Sequence, residues 1–226
     1  MRVTYFGQNS IQIETGDFNL LVDPGLSANP LAKTIDISKL HPNYILLTHA
    51  HGDHTADVIE ISKQSNAKII SNYEICLYYG KENIAYHPMN HGGKWQFDFG
   101  TVAMVNAIHT SSFPDGTYGG NPCGFIIMAD SKAIYIAGDT ALTTDMTLIP
   151  KLYPKLDLAI LPIGDNFTMG IDEAIIASDM IQCKTILGCH YDTFPYIEID
   201  HKLAKEKFSD AGAELHLLDV GASMNI

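Results

Sequence analysis

One ten-residue run constrains this chain more than any other: Leu46-Leu47-Thr48-His49-Ala50-His51-Gly52-Asp53-His54-Thr55. Three imidazoles and a carboxylate fall within six residues, directly after the apolar stretch Tyr44-Ile45-Leu46-Leu47. Imidazole and carboxylate are ligands that zinc, manganese and iron(II) all accept. His49 and His51 are two apart, so on an extended segment leaving a strand both side chains point the same way. Asp53 and His54 come from the turn that follows and reach a second point in space. A single ion uses three or four protein ligands. Four in one loop, joined by any distant ones, therefore point to two ions. The plain alternative is a polar loop that happens to be rich in histidine. The order of the residues, and their place at the end of a strand-like run, argue for a metal site instead.

Composition narrows the class. A chain of 226 residues with 46% apolar content suits one domain, residues 1–226, with enough apolar surface to bury a sizeable core. The net charge is −12 and Arg2 is the sole arginine. A nucleic-acid surface needs clustered lysine and arginine to neutralise phosphates, so no nucleic-acid partner is expected. Two divalent ions would offset about four of the negative charges. Cys76, Cys123, Cys183 and Cys189 form no C-x-x-C pair and read as reduced thiols. The chain opens as a strand with no signal-peptide core, and no apolar run approaches membrane-spanning length. The expectation is a cytoplasmic protein with no membrane partner, acting on a small molecule. Its oligomeric state is left open, a homo-oligomer included.

In order along the chain, residues 3–6, 10–15 and 18–23 read as a β-meander with turns at Gly7-Gln8-Asn9 and Gly16-Asp17. Residues 26–43 form a loop. After the histidine run, 56–64 and 73–79 read as helices and 68–70 and 84–86 as strands, an alternation typical of α/β organisation. The second half repeats the theme with strands at 95–99, 102–108, 125–129, 133–137, 156–162, 184–189 and 214–218. Helices are expected at 172–181 and 202–208, with 141–154 partly helical. His109, Asp139 and His190 each follow one of these strands. The segment 112–124, rich in Gly and Pro, reads either as a loop over the mouth of the site or as a plain connection.

Thr48-His49-Ala50-His51-Gly52-Asp53-His54 resembles the His-x-His-x-Asp-His signature of the metallo-β-lactamase superfamily of binuclear metallohydrolases. Within it, the chain looks most like the small metal-dependent hydrolase branch related to ascorbate-6-phosphate lactonase. The resemblance implies an α/β (α+β) fold, a four-layer αββα sandwich, with the cleft where the ends of the two sheets converge. By the same resemblance His109 completes a trio with His49 and His51 at a first ion. His190 joins Asp53 and His54 at a second, and Asp139 of Gly138-Asp139-Thr140 bridges the two. The aspartate of Asp23-Pro24 is expected to support the histidine loop rather than ligate. His87 and His91 match no position of the pattern, and His91 reads as a surface turn residue.

The implied activity is hydrolysis of an ester, lactone or phosphoester by a hydroxide generated between two divalent ions, zinc first, with manganese and iron(II) compatible. Asp53 is the expected ligand and proton carrier, and Tyr191 reads either as a hydrogen-bond donor to the oxyanion or as a packed tyrosine. Two other readings share such a site. A ribonuclease of the tRNA-processing type needs a basic grip that this chain lacks. A diiron oxygen or nitric-oxide reductase commonly carries an acidic residue in place of one histidine, whereas His51 is retained here.

Overall fold

Alternation decides which side chains face inward. In the opening meander, β1 (Arg2–Tyr5), β2 (Ile11–Thr15) and β3 (Phe18–Val22) pair antiparallel. Ile11, Ile13 and Thr15 are buried between more exposed Gln12 and Glu14. In the computed structural model, which describes residues 1–226, β4 (Tyr44–Leu46), β5 (Lys68–Asn72) and β6 (Tyr86–Met89) then add in parallel beside β3. The crossovers are made by α1 (Gly52–Thr55) with α2 (Val58–Ser65), and by α3 (Tyr73–Gly80).

The second sheet begins with four antiparallel strands, β7 (Lys94–Phe97), β8 (Gly100–Asn106), β9 (Cys123–Ala129) and β10 (Lys132–Ile136). After the single turn of α4 (Ile149–Leu152), it continues in parallel through β11 (Leu158–Pro162), β12 (Thr185–Cys189) and β13 (Glu214–His216). Helices α5 (Ile171–Met180) and α6 (His201–Asp210) connect those last three. The chain ends by returning to the first sheet, where β14 (Ser223–Asn225) pairs with β1. Each sheet has seven strands.

The central strands are apolar throughout because both of their faces are covered. Leu20, Val22, Tyr44, Leu46 and Ile70 face the second sheet and join a core shared with Phe125, Ile134 and Ile160. Their neighbours Leu21, Ile45, Leu47 and Ile69 face the other way, onto Val58 and Ile61 of α2 and Ile75 and Tyr79 of α3. Helices, sheet, sheet and helices thus stack in four layers, as expected for an αββα sandwich. Each fully buried Leu or Ile contributes about 1.5–3 kcal/mol.

Three local features differ from the sequence-based expectation. Tyr86–Met89 is a strand even though it contains Pro88, because β6 lies at the sheet's edge, where a missing N–H breaks no ladder. The strand β14 was not expected at all. Residues 26–43 carry three short 3-10 turns, at Leu26–Ala28, Pro30–Ala32 and Ile37–Lys39. No helix is long and apolar enough to cross a membrane.

Candidate metal centre

The histidine run sits where β4 ends. His51 is extended (φ −62°, ψ 149°) and precedes α1, whose single turn carries Asp53 and His54. His109 follows β8, Asp139 follows β10, and His190 directly follows β12. These three strands run in the same direction in the second sheet, so their carboxyl ends share one edge. All seven residues suggested by sequence therefore converge on one cleft.

Two groups form within it. The ligand atoms of His49, His51 and His109 lie within 4.8 Å of one another, as do those of Asp53, His54 and His190. Asp139 sits between the groups. Its Oδ2 is 3.8 Å from His49 Nε2 and 3.6 Å from His109 Nε2 on one side. On the other it is 3.4 Å from His54 Nε2 and 3.0 Å from His190 Nε2. His49 Nε2 and His51 Nδ1 approach to 3.0 Å.

Close approach of backbones sets this geometry. A Cβ at Gly25, just past β3, would collide with the Asp53 carbonyl, so glycine lets the β3 exit lie directly under the histidine loop. Asp23, fully buried, occupies the same corner. Its Oδ1 accepts from Thr48 N (2.8 Å). Its Oδ2 accepts from Thr48 Oγ1 (2.6 Å) and Asn9 Nδ2 (2.7 Å), and lies 3.0 Å from His54 Nδ1. With Nδ1 held by Asp23, His54 presents Nε2 to the cleft. An outer carboxylate of this kind fixes ring orientation and tautomer. Asp23, His49 and His54 also lie close enough to form a ligand group, but the oxygens of Asp23 are already occupied by these donors.

The electrostatics favour a cation. Burial pushes the His49 imidazole well below its ordinary pKa, with the neighbouring His54 adding to the effect. Burial also lowers His51 and His109. Neutral imidazole is the ligating form. At His54 burial acts in the same direction, but the Asp139 and Asp53 carboxylates outweigh it and hold the ring well above its usual value. Burial would raise Asp139, yet His190 and His54 outweigh it and keep the carboxyl ionised far below the usual range. Among the buried polar atoms left without a hydrogen bond inside the protein, three belong to the candidate ligands: His54 Nε2, Asp139 Oδ1 and His190 Nδ1. Buried polar atoms are rarely left so. Unpartnered ring nitrogens and a carboxylate oxygen, in a cluster of five imidazoles, fit divalent metal ions.

A family model described as "Beta-lactamase superfamily domain" matches residues 18–191. A "UPF0173 metal-dependent hydrolase" of Flavobacterium johnsoniae is 60% identical over 226 residues, covering all of both chains. The chain belongs to the metallo-β-lactamase superfamily, in its UPF0173 metal-dependent hydrolase family. Among solved structures, Igni18, a metallo hydrolase from Ignicoccus hospitalis, superposes with a TM-score of 0.89 at 33% identity, covering 99% of this chain and 97% of that one. The metallo-β-lactamase fold protein YhfI from Bacillus subtilis shares the fold, with a TM-score of 0.75 at 18% identity over 99% of this chain and 98% of that one. The hydrolase is thus a metal-dependent enzyme with a His/Asp metal site.

The remaining candidates lie outside the cleft lining. Tyr191 is not among the residues that line the cleft. Its ring is buried and stacks on Tyr5 at 6.2 Å, with His201 edge-on at 5.4 Å. The backbone explains this: His190 is left-handed (φ 55°), so the next side chain is turned away from the direction of the histidine. The 112–124 segment contributes nothing to the cleft lining either. It braces the histidine loop from the side, with Phe113 stacked on Tyr78 at 3.6 Å. Ser111 Oγ accepts from Ala50 N (3.2 Å) and donates to Gly119 O (2.9 Å). His91 sits 2.8 Å from the Pro122 carbonyl, outside the cleft.

Gln8 escaped the sequence reading. It is buried and left-handed (φ 53°), and its Nε2 donates to Asp53 Oδ2 (2.8 Å). Its Oε1 accepts from Thr193 Oγ1 (2.5 Å), and its carbonyl accepts from His190 N (2.8 Å). A polar turn carries no signal for such a role. Phe167 and Phe194 were likewise unmarked, yet both line the cleft.

Proposed function

We propose that the enzyme is a binuclear hydrolase that cleaves an ester, lactone or phosphoester bond of a small substrate. One observation carries the reading. A single carboxylate oxygen, Asp139 Oδ2, stands 3.0–3.8 Å from imidazole nitrogens belonging to two separate ligand groups. An oxygen so situated would serve as a ligand to both ions. His49, His51 and His109 would hold one ion, and Asp53, His54 and His190 the other, with zinc the best match to the nitrogen-rich first set. When bound, two such ions would acidify a shared water and draw charge from the substrate's carbonyl or phosphoryl oxygen.

The chain's own groups supply the remainder. Asp53 is partly open to the cleft, and its carboxylate is steadied by Gln8. On this reading it would take a proton from water and hand it to the leaving group. Asp23 keeps His54 from rotating. Thr110 stands on the cleft wall, 3.3 Å from His51 Nε2.

The test is elemental analysis of protein purified without added metal, together with hydrolysis assays on ester, lactone and phosphodiester panels with zinc and manganese. About two ions per chain and turnover of one panel support the reading. Two irons with consumption of oxygen or nitric oxide would replace it with redox chemistry. No retained metal after reconstitution would defeat it.

A further inference from the structure

The cleft has a volume of about 400 Å³ and two kinds of wall. One is the histidine and aspartate cluster. The other is aromatic: Phe167 and Phe194, with ring centroids 5.9 Å apart and tilted at 61°. Tyr196, 75% exposed, extends this wall outward and meets Phe167 edge-on at 6.4 Å. Edge-to-face aromatic clusters are held by quadrupole attraction and offer ring faces to a further apolar group.

The wall is prebuilt. Phe167 is 49% exposed and stands at the tip of a loop in which Asp165 (φ 63°) and Asn166 (φ 53°) are both left-handed. Two such residues in succession are uncommon away from glycine. The loop is tied at both ends to the catalytic edge. Met169 N donates to Thr140 O (3.0 Å), next to Asp139. Ile163 N donates to Cys189 O (3.1 Å), next to His190. Gly164 packs so closely on the His190 carbonyl that any side chain there would collide. Phe194 is displayed four residues beyond His190, from extended backbone ahead of a 3-10 turn. Neither ring belongs to the buried core clusters, so packing does not require them where they are. No lysine or arginine lines the cleft. A phosphorylated substrate would find no lysine or arginine there to pair with its charge beside the metal ions.

We infer that the cleft selects an uncharged ester or lactone carrying an aromatic or comparably apolar group, seated against Phe167 and Phe194. This rests on the hydrolase reading above and narrows it away from phosphoesters.

The experiment has two arms, both on metal-reconstituted protein. In the first, calorimetry compares binding of phenylacetate and acetate, which share a carboxylate and differ in the ring. Phenylacetate is expected to bind about tenfold more tightly, the scale on which apolar pockets discriminate. In Phe167→Ala, Phe194→Ala and the double variant that advantage should shrink towards parity, and Phe167→Leu should restore part of it. In the second arm, ethyl phenylacetate, ethyl acetate and phosphoester substrates are followed by pH-stat, and the ratio of kcat/KM should favour the aryl ester in the wild type and fall in the variants.

Equal binding of the two carboxylates by the wild type, or an advantage undiminished in the double variant, overturns the inference. Faster turnover of phosphoesters than of any neutral ester overturns it too. A protein that prefers phenylacetate yet hydrolyses no ester or lactone keeps the aromatic wall and overturns the hydrolytic reading instead.

Discussion

Asp23 Oδ2 lies 3.0 Å from His54 Nδ1, and neither side chain is exposed to solvent. The contact joins the exit of β3 to the turn that carries Asp53 and His54, two places thirty-one residues apart in sequence. Asp23 also holds Thr48, so one carboxylate fixes both the start of the histidine run and its last ring.

Asp23→Ala should therefore damage fold and metal binding together. Removing one partner of a buried polar pair strands the others, which costs about 3–5 kcal/mol. Loss of an outer-shell carboxylate also lowers metal affinity roughly 10–100-fold. Urea unfolding of the metal-free protein and chelator competition on the loaded protein measure the two effects separately. Wild-type stability and affinity in the variant would show that the contact is idle.

On the proposed two-ion reading, Asp139→Asn and His190→Ala distinguish the two ions. Asn keeps the shape of Asp139 but loses the charge needed between four imidazoles, so turnover should fall to background. His190→Ala should weaken the ion held with Asp53 and His54, leaving close to one ion per chain by elemental analysis. Full occupancy and activity in either variant would refute the ligand assignment.

Gln8→Ala should lower turnover about tenfold, at the mild end of outer-shell effects, with metal content unchanged. Gln8 reaches Asp53 through hydrogen bonds rather than through the ions. A change in kcat with constant metal stoichiometry is the signature to look for; loss of an ion would mean that Gln8 supports the ligand geometry instead.

Tyr191→Phe should leave kcat within about twofold of wild type, because the hydroxyl lies away from the cleft lining. The ring is stacked on Tyr5, outside the cleft lining. A large drop in kcat would restore the tyrosine to the oxyanion.

Metal removal should expose a pH dependence. His49, His51 and His109 sit below their ordinary pKa, so as pH falls through about 6.5 the unfolded chain takes up protons that the folded chain refuses. Stability therefore falls on acidification. His54 is raised and acts in the opposite sense: its contribution is present below about 6.5 and is lost as pH climbs through its folded value. His87 is lowered as well, so four groups oppose one and Tm of the metal-free protein should be lower at pH 5 than at pH 7.5. An unchanged or higher Tm at pH 5 would contradict the balance.

Much of the site was legible because ligands announce themselves. His49, His51, Asp53 and His54 are dense and ordered, and family resemblance extended them to His109, Asp139 and His190. Strand periodicity placed most of the sheets, since Ile11 and Ile13 alternate with Gln12 and Glu14. Elsewhere local chemistry misled or was silent. Pro88 looks like a breaker and is one only inside a sheet, whereas β6 is an edge. Ser223-Met224-Asn225 has no pattern of its own and becomes a strand because β1 offers it a free edge. Tyr191 adjoins a histidine in sequence, but the left-handed turn at His190 separates them in space. Gln8 acts through three partners distant in sequence, which no local window contains.

The pairing of Arg2 with Asn225 and of Thr4 with Ser223 also bears on how the molecule comes to be made. Such contacts give the topology a high contact order, and folding of this kind is slow because the longest loops must close before their contacts can form. During synthesis β1 can dock against β2 early, but its other edge stays open until residues 223–225 have been added. An open edge is a template for the wrong neighbour. The β1 edge is open to wrong pairing for as long as the chain lacks residues 223–225.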